Sequence, residues 1–192
     1  MQKAKGLLKW DQRSEIVKTL FVLVIVAGVT FGGYGVFMVA MGTTTPLVVV
    51  TSESMVPNLN VGDMLVLQHR AQDQIFLLDI VVYRADWYPA APVVHRVVQI
   101  DVVDGEYRYY TQGDANLVQD PGYRSYEDIV GVVVLVIPKL GYVSLFLQTN
   151  EGRILVIGLF IAIIVLPEFI CKKETDSKAA DSKDSDSRPA DA

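Results

Sequence analysis

Cysteine is almost missing from this chain: Cys171 stands alone among 192 residues, so no intramolecular disulfide and no multi-cysteine metal site can form. Histidine is nearly as scarce. With only His69 and His95, a histidine-rich metal centre is excluded, and no cofactor is expected. Charge is thin at 20% of residues, and its balance is acidic, with a net charge of −5 and a pI near 5.0. A phosphate-backbone binder needs the opposite sign to release counterions, so nucleic acid is not an expected partner. Against these shortages, 51% of the residues are hydrophobic and the mean hydropathy is positive. An ordinary soluble domain does not carry that excess, so the apolar residues must be gathered in particular segments.

Two segments hold them. Residues 19–41 contain no charged side chain and include Leu20-Phe21-Val22-Leu23-Val24-Ile25-Val26. As a helix they cover roughly 35 Å, enough for the ~30 Å hydrocarbon core of a bilayer with some tilt. An apolar region of this length exceeds the ~7 to 15 residues of a cleavable secretory signal, so a retained transmembrane helix is expected, despite the small-x-small pattern of Ala40-Met41-Gly42. A second apolar segment, 154–166, lengthens only by taking in Pro167, Glu168 and Ile170. Residues 153–170 are read as a second, shorter span at the lower length limit, an interfacial helix being the alternative.

Lys3, Lys5, Lys9, Arg13 and Lys18 precede the first segment, and Lys172 and Lys173 follow the second. Basic flanks stay on the cytoplasmic side. Residues 1–18 and 171–192 are therefore expected inside, and residues 42–152 outside, as one small domain. The tail alternates Lys, Asp, Ser and Ala without a large apolar residue, so it cannot bury enough surface to offset its ordering entropy and reads as disordered. Cys171, at the inner surface, is expected to remain an unmodified thiol.

The outer segment has the period of strands. Leu47-Val48-Val49-Val50, Met64-Leu65-Val66-Leu67, Ile80-Val81-Val82-Tyr83, Val93-Val94-His95-Arg96-Val97-Val98, Tyr107-Arg108-Tyr109-Tyr110 and residues 129–137 are rich in β-branched and aromatic side chains. Pro57-Asn58, Gly62-Asp63, Asp104-Gly105 and Pro121-Gly122 break them apart, and Val103-Asp104-Gly105-Glu106 has the form of a hairpin turn. No stretch of the outer segment has a helical period. The expected class is mainly β, anchored by membrane helices.

Candidate chemistry starts just beyond the first apolar segment, in Ser52-Glu53-Ser54-Met55-Val56-Pro57-Asn58-Leu59-Asn60-Val61-Gly62-Asp63. A serine alone is most often a solvated turn hydroxyl, and it becomes a nucleophile only beside a base. His95, within an apolar strand-like run, suits that role better than His69, which adjoins Gln68, Arg70 and Gln72. The turn-rich Gly113-Asp114-Ala115-Asn116-Leu117-Val118-Gln119-Asp120 offers two carboxylates, either of which could orient an imidazole or simply solvate a loop.

Taken in order, these blocks resemble signal peptidase I of the archaeal and endoplasmic-reticulum type, a membrane-bound serine endopeptidase. Ser52-x-Ser54-Met55-x-Pro57 with Gly62-Asp63 is similar to its nucleophile box, Asp79-Ile80-Val81-Val82-Tyr83 to the strand that follows, Val94-His95-Arg96-Val97 to its histidine box, and Gly113-Asp114-x-Asn116-x-x-x-Asp120 to its aspartate box. Ile137-Pro138-Lys139-Leu140-Gly141 is similar to the last family block. The resemblance implies Ser54 as nucleophile, His95 as base where the bacterial branch carries a lysine, and Asp120 or Asp114 as the carboxylate behind it, with Asp120 first. It implies Ser52 and Ser54 as oxyanion-hole donors, and exported preproteins as substrates, cut after a short segment with small residues such as Ala at the first and third positions. It implies action at the lipid membrane near the protein-export channel. Localisation would be a cell membrane, or the endoplasmic reticulum membrane in a eukaryote, and the second apolar segment points toward an archaeal enzyme acting alone. Two other readings stand beside it: an inactive scaffold of the same fold, which would lack one of Ser, His or Asp, and a self-cleaving regulator, which would need a lysine in place of His95.

Overall fold

The computed structural model describes residues 15–165. Most of the basic N-terminal flank, the end of the second apolar segment, Cys171, the Lys172-Lys173 flank and the acidic tail lie outside the described residues. Within them, helix α1 runs over Glu15–Met41, and its stretch Val17–Met41 is long and apolar enough to cross a membrane. A chain in hydrocarbon must satisfy its backbone internally, and a helix does so residue by residue. Large apolar side chains stand out along α1, with Phe31 77% and Val39 82% exposed, a surface suited to lipid rather than to water.

The described residues divide into two compact units, split at Phe31/Gly32 and at Thr149/Asn150. The first holds the opening turns of α1 and an apolar helix over Asn150–Val165. The second, residues 32–149, holds one six-stranded sheet of β1 (Leu47–Val49), β2 (Met64–Gln68), β3 (Ile80–Ala85), β4 (Tyr88–Val103), β5 (Glu106–Gln112) and β6 (Ile129–Ile137). All neighbouring strands are antiparallel, in the order β1-β2-β6-β3-β4-β5. The fold class is thus mainly β, as expected, and each strand-like run of the sequence lies in or overlaps a strand.

Alternation along the strands builds a core on each face. Val81, Tyr83 and Ala85 of β3 join Val97, Tyr109, Ile129 and Val132 in one cluster. Val82 points the other way and meets Leu65, Leu67, Val50, Met55 and Leu59. Strand side chains have a period of two, so the phase of β3 decides which residues face which layer. The β4–β5 hairpin closes through Asp104 (φ 54°) and Gly105 (φ 85°), two left-handed residues whose twist matches that of the flanking strands. Register is fixed across the centre of the sheet, where Val81 lies opposite His95 and Tyr83 opposite Val93.

One element departs from expectation. Gly141–Gln148 forms a short helix, α2, although its sequence, Gly-Tyr-Val-Ser-Leu-Phe-Leu-Gln, is too short for periodicity to tell a helix from a short apolar run. Its first residue explains its place: Gly141 is buried, and a Cβ there would lie 2.5 Å from Val49 Cγ1 and 2.6 Å from the Gly62 carbonyl oxygen. The Gly141→Ala variant should therefore push β1 or the Gly62-Asp63 turn aside and cost about 1–3 kcal/mol, the usual scale of overpacking. Thermal unfolding of the purified protein checks this, and an unchanged melting temperature would mean that the chain around Gly141 yields freely.

Candidate active site

The serine-bearing loop is pinned at both ends. Met55, next to Ser54, is 1% exposed and belongs to the cluster around Val82, as does Leu59, while Ser54 itself is half-buried. Backbone bonds from Val56 N–H to the Glu53 carbonyl (3.1 Å) and from Leu59 N–H to the Met55 carbonyl (2.9 Å) coil the segment. Buried Asp63 then holds the loop's exit, accepting from the backbone N–H groups of Asn60 (2.9 Å) and Lys139 (3.1 Å).

His95 sits in the middle of β4 on the face it shares with Val81 and Tyr83, and it is 4% exposed. Its Nε2 lies 3.1 Å from Ser54 Oγ, and its Nδ1 lies 2.6 Å from Asp120 Oδ2. Such a line can move the hydroxyl proton to the ring while the carboxylate steadies the resulting imidazolium. Asp120 reaches the ring because residues 113–125 fold back over β5. The Asp120 N–H donates to the Thr111 carbonyl (2.9 Å), and Tyr109 and Arg124 exchange backbone bonds. Burial alone would push the Asp120 carboxyl up, but hydrogen bonds from His95, Thr111 and Tyr83, with the attraction of His95, outweigh it and hold the carboxyl below its ordinary value.

Asp114, the other carboxylate of the same box, does not hydrogen-bond to His95. It forms a two-pronged pair with Arg96, at 2.8 Å from Nε and 2.7 Å from the terminal nitrogen, and accepts from Asn58 Nδ2 at 2.7 Å. Those bonds tie the strand of His95 to the loop of Ser54, and the Arg96 hydrogen bond is the largest cause holding the Asp114 carboxyl below its ordinary value. Ser52 Oγ lies 3.3 Å from Ser54 Oγ, on the exposed side of the loop. His69 is elsewhere, 2.9 Å from the Tyr126 hydroxyl.

Gly113 lets these parts meet. A Cβ on it would lie 2.6 Å from the Ser54 carbonyl oxygen and 2.8 Å from His95 Nε2, so any side chain there would enter the space of the Ser–His contact. The Ser54 carbonyl also accepts from the Ala115 N–H at 2.9 Å. Tyr83 and Thr111, which both donate to Asp120, were not foreseeable as site residues. The alternation of β3 places Tyr83 inward, but no local signal names its partner.

Beside Ser54 and His95 a cleft of about 280 Å³ opens, walled by Val49 and Val50 on one side and by Tyr88, Ala91 and Val94 on the other. Among the described residues the strands forming these walls each keep a free edge: β1 pairs only with β2, and β4 before Arg96 pairs only with β3. Free edges accept extended peptides.

No family model matches the chain. It is 36% identical over 121 residues to the signal peptidase complex catalytic subunit SEC11 of Yarrowia lipolytica, covering 59% of this chain and 69% of that protein. It is 37% identical over 117 residues to the SEC11 subunit of Lachancea thermotolerans, 56% of this chain and 68% of the relative. It is 33% identical over 119 residues to the SEC11C subunit of Homo sapiens, where it spans 62% of the relative's length. At that identity and coverage, with these motifs in their order, the chain belongs to the signal peptidase I family of the endoplasmic-reticulum type.

Proposed function

We propose that this chain is a membrane-anchored serine endopeptidase that removes signal peptides from exported preproteins. The observation that carries the reading is the line from Ser54 Oγ through His95 to Asp120 Oδ2, with contacts of 3.1 and 2.6 Å, beside a cleft between two free strand edges. His95 Nε2 takes the Ser54 proton as Oγ attacks the scissile carbonyl carbon. The tetrahedral oxyanion accepts from the Ser54 backbone N–H and from Ser52 Oγ, a donor worth about 2.7–4 kcal/mol in the transition state. His95 returns the proton to the leaving amine, and a water activated by the same ring releases the acyl group from Ser54. Asp120 holds the ring in the tautomer that presents Nε2 to the serine and stabilises the imidazolium.

The substrate enters as an added strand, so alternate side chains point the same way. Two consecutive inward positions then fall at the first and third residues before the cut, which suits small side chains such as alanine. Anchoring by α1 keeps enzyme and substrate in one bilayer plane and raises their effective concentration, with the catalytic unit on the outer face near the export channel. We read residues 153–170 as a second span, which would return the tail to the inner side. An inactive scaffold of the same fold is disfavoured by the complete, mutually bonded Ser–His–Asp set.

The decisive experiment incubates the detergent-solubilised protein with a preprotein. Ser54→Ala and His95→Ala should each abolish cleavage, and His95→Lys should not restore it. Asp120→Ala should lower kcat by about 10³- to 10⁴-fold and do more damage than Asp114→Ala. Substantial cleavage by Ser54→Ala would overturn the assignment.

Asp114 should instead be visible in stability. A carboxyl depressed in the folded state contributes stability that is present above its unfolded value of ~3.9 and is lost as pH falls through the lower folded value. Asp114→Asn should cost roughly 1–3 kcal/mol at pH 7 and remove part of the decline below about pH 4. Thermal melts between pH 2 and 7 test this; curves that coincide with the parent at every pH would mean that the Arg96 pair contributes nothing.

Topology has its own check. In sealed, right-side-out vesicles, externally added protease should cut within residues 42–152 and spare epitopes at both termini. Loss of the C-terminal epitope with the N-terminal one intact would show that residues 153–170 do not span.

A further inference from the structure

We propose that Tyr83, backed by Arg124, is a positioning residue of this site: its hydroxyl fixes Asp120 and disperses its charge, and so sets the pH range in which His95 works as a base. The inference rests on the reading of Ser54, His95 and Asp120 given above. Three donors converge on the same oxygen, Asp120 Oδ2: His95 Nδ1 at 2.6 Å, Thr111 Oγ1 at 2.7 Å and the Tyr83 hydroxyl at 2.8 Å. Tyr83 is 0% exposed and ends an apolar run, Ile80-Val81-Val82, where a phenylalanine would fill the same space without a polar atom to satisfy. A buried hydroxyl stabilises only when it is paired, and here its acceptor is the carboxylate behind the imidazole.

Arg124 supplies the second observation. It is only 6% exposed and makes no ion pair among the described residues. Its Nε has no hydrogen-bond partner, and a terminal nitrogen donates to the Pro121 carbonyl. Its guanidinium carbon lies 5.2 Å from the centre of the Tyr83 ring, within reach of a cation–π interaction. A cation on the ring face draws density from the phenol and strengthens its O–H as a donor. Burial, the largest influence, raises the Tyr83 hydroxyl far above its ordinary value, so it stays protonated and donating. The buried cation therefore acts on Asp120 through Tyr83.

The consequence for His95 follows from charge. Its ring faces Asp120 and Ser54 through hydrogen bonds, Tyr83 at a centroid distance of 6.4 Å, and Asp114 at longer range. An Asp120 oxygen that also accepts from Tyr83 and Thr111 shares its negative charge with them and attracts an imidazolium less. Without the Tyr83 hydroxyl that charge falls more fully on the ring. The protonated ring is then favoured, and the neutral base becomes available only at higher pH.

The test is kcat and KM for a peptide substrate across pH 4 to 10 for the full chain, with Tyr83→Phe, which keeps the ring and its packing on Arg124. Tyr83→Phe should lower kcat about tenfold with KM within about twofold, and should move the acid limb of kcat/KM upward by roughly half a pH unit. Thr111→Val should move it the same way, and the pair together should move it further. Arg124→Met should shift the limb in the Tyr83 background and leave it in place once residue 83 is phenylalanine, the signature of action through the hydroxyl. A Tyr83→Phe profile that coincides with the parent, a shift to lower pH, or a loss matched by the unfolded fraction alone would overturn the proposal. Ser54→Ala run beside it separates the two readings. If it still cleaves, the catalytic assignment fails; if it is dead while Tyr83→Phe is unaltered, only the role of Tyr83 fails.

Discussion

Asp120 Oδ2 receives its three hydrogen bonds from side chains on three adjacent strands, Tyr83 on β3, His95 on β4 and Thr111 on β5. A buried carboxylate is costly unless paired and hydrogen-bonded, so satisfying this one oxygen constrains the register of half the sheet. A slip of one residue in β3 or β4 would turn Tyr83 or His95 to the opposite face. The bulges at Val82/Tyr83 and Val97/Gln99 fix the local phase around this point. The return of residues 113–125 over β5 then serves two ends: it delivers Asp120 and covers the free edge of the last strand.

The serine reaches the histidine from the other core. Met55 and Leu59 anchor its loop among the residues packed on Val82, whereas Val81, Tyr83 and Val97 belong to the opposite cluster. The two halves are stitched where Arg96 and Asn58 meet Asp114 and where the Ala115 N–H meets the Ser54 carbonyl. Gly113 is the clearance between them, since a Cβ there would touch both Ser54 and His95. Asp114 and Asp120, six residues apart in one box, thus do different work: one joins two segments of chain, and the other faces the ring.

Much of this was legible in the sequence. The six strands announce themselves through β-branched alternation, and Asp104-Gly105 fixes one hairpin because its turn demands left-handed backbone. The long uncharged run needs only length and composition. Ser54, His95 and the aspartate box could be named because the blocks that carry them resemble, in order, those of the signal peptidase I family, and their residue types suit acyl transfer. What could not be read is what depends on pairing at a distance. Nothing local places β6 between β2 and β3. Both carboxylates follow Gly113 in a loop without a period; the family resemblance puts Asp120 first behind His95, whereas the pairing of Asp114 with Arg96 emerges only from the fold. The helix at Gly141–Gln148 escaped because a segment so short gives periodicity too few residues to work on, and Tyr83 escaped because its hydroxyl matters only beside Asp120.

In the proposed reaction Ser54 carries the acyl group of a cleaved peptide with His95 as its base. Rapid acid quenching of the protein with a peptide ester ending in Ala-x-Ala, followed by peptide mapping by mass spectrometry, tests this directly. The expected result is an acyl adduct on Ser54 that fails to form in His95→Ala. An adduct on another residue, or turnover with no covalent adduct at any quench time and any pH, would contradict it.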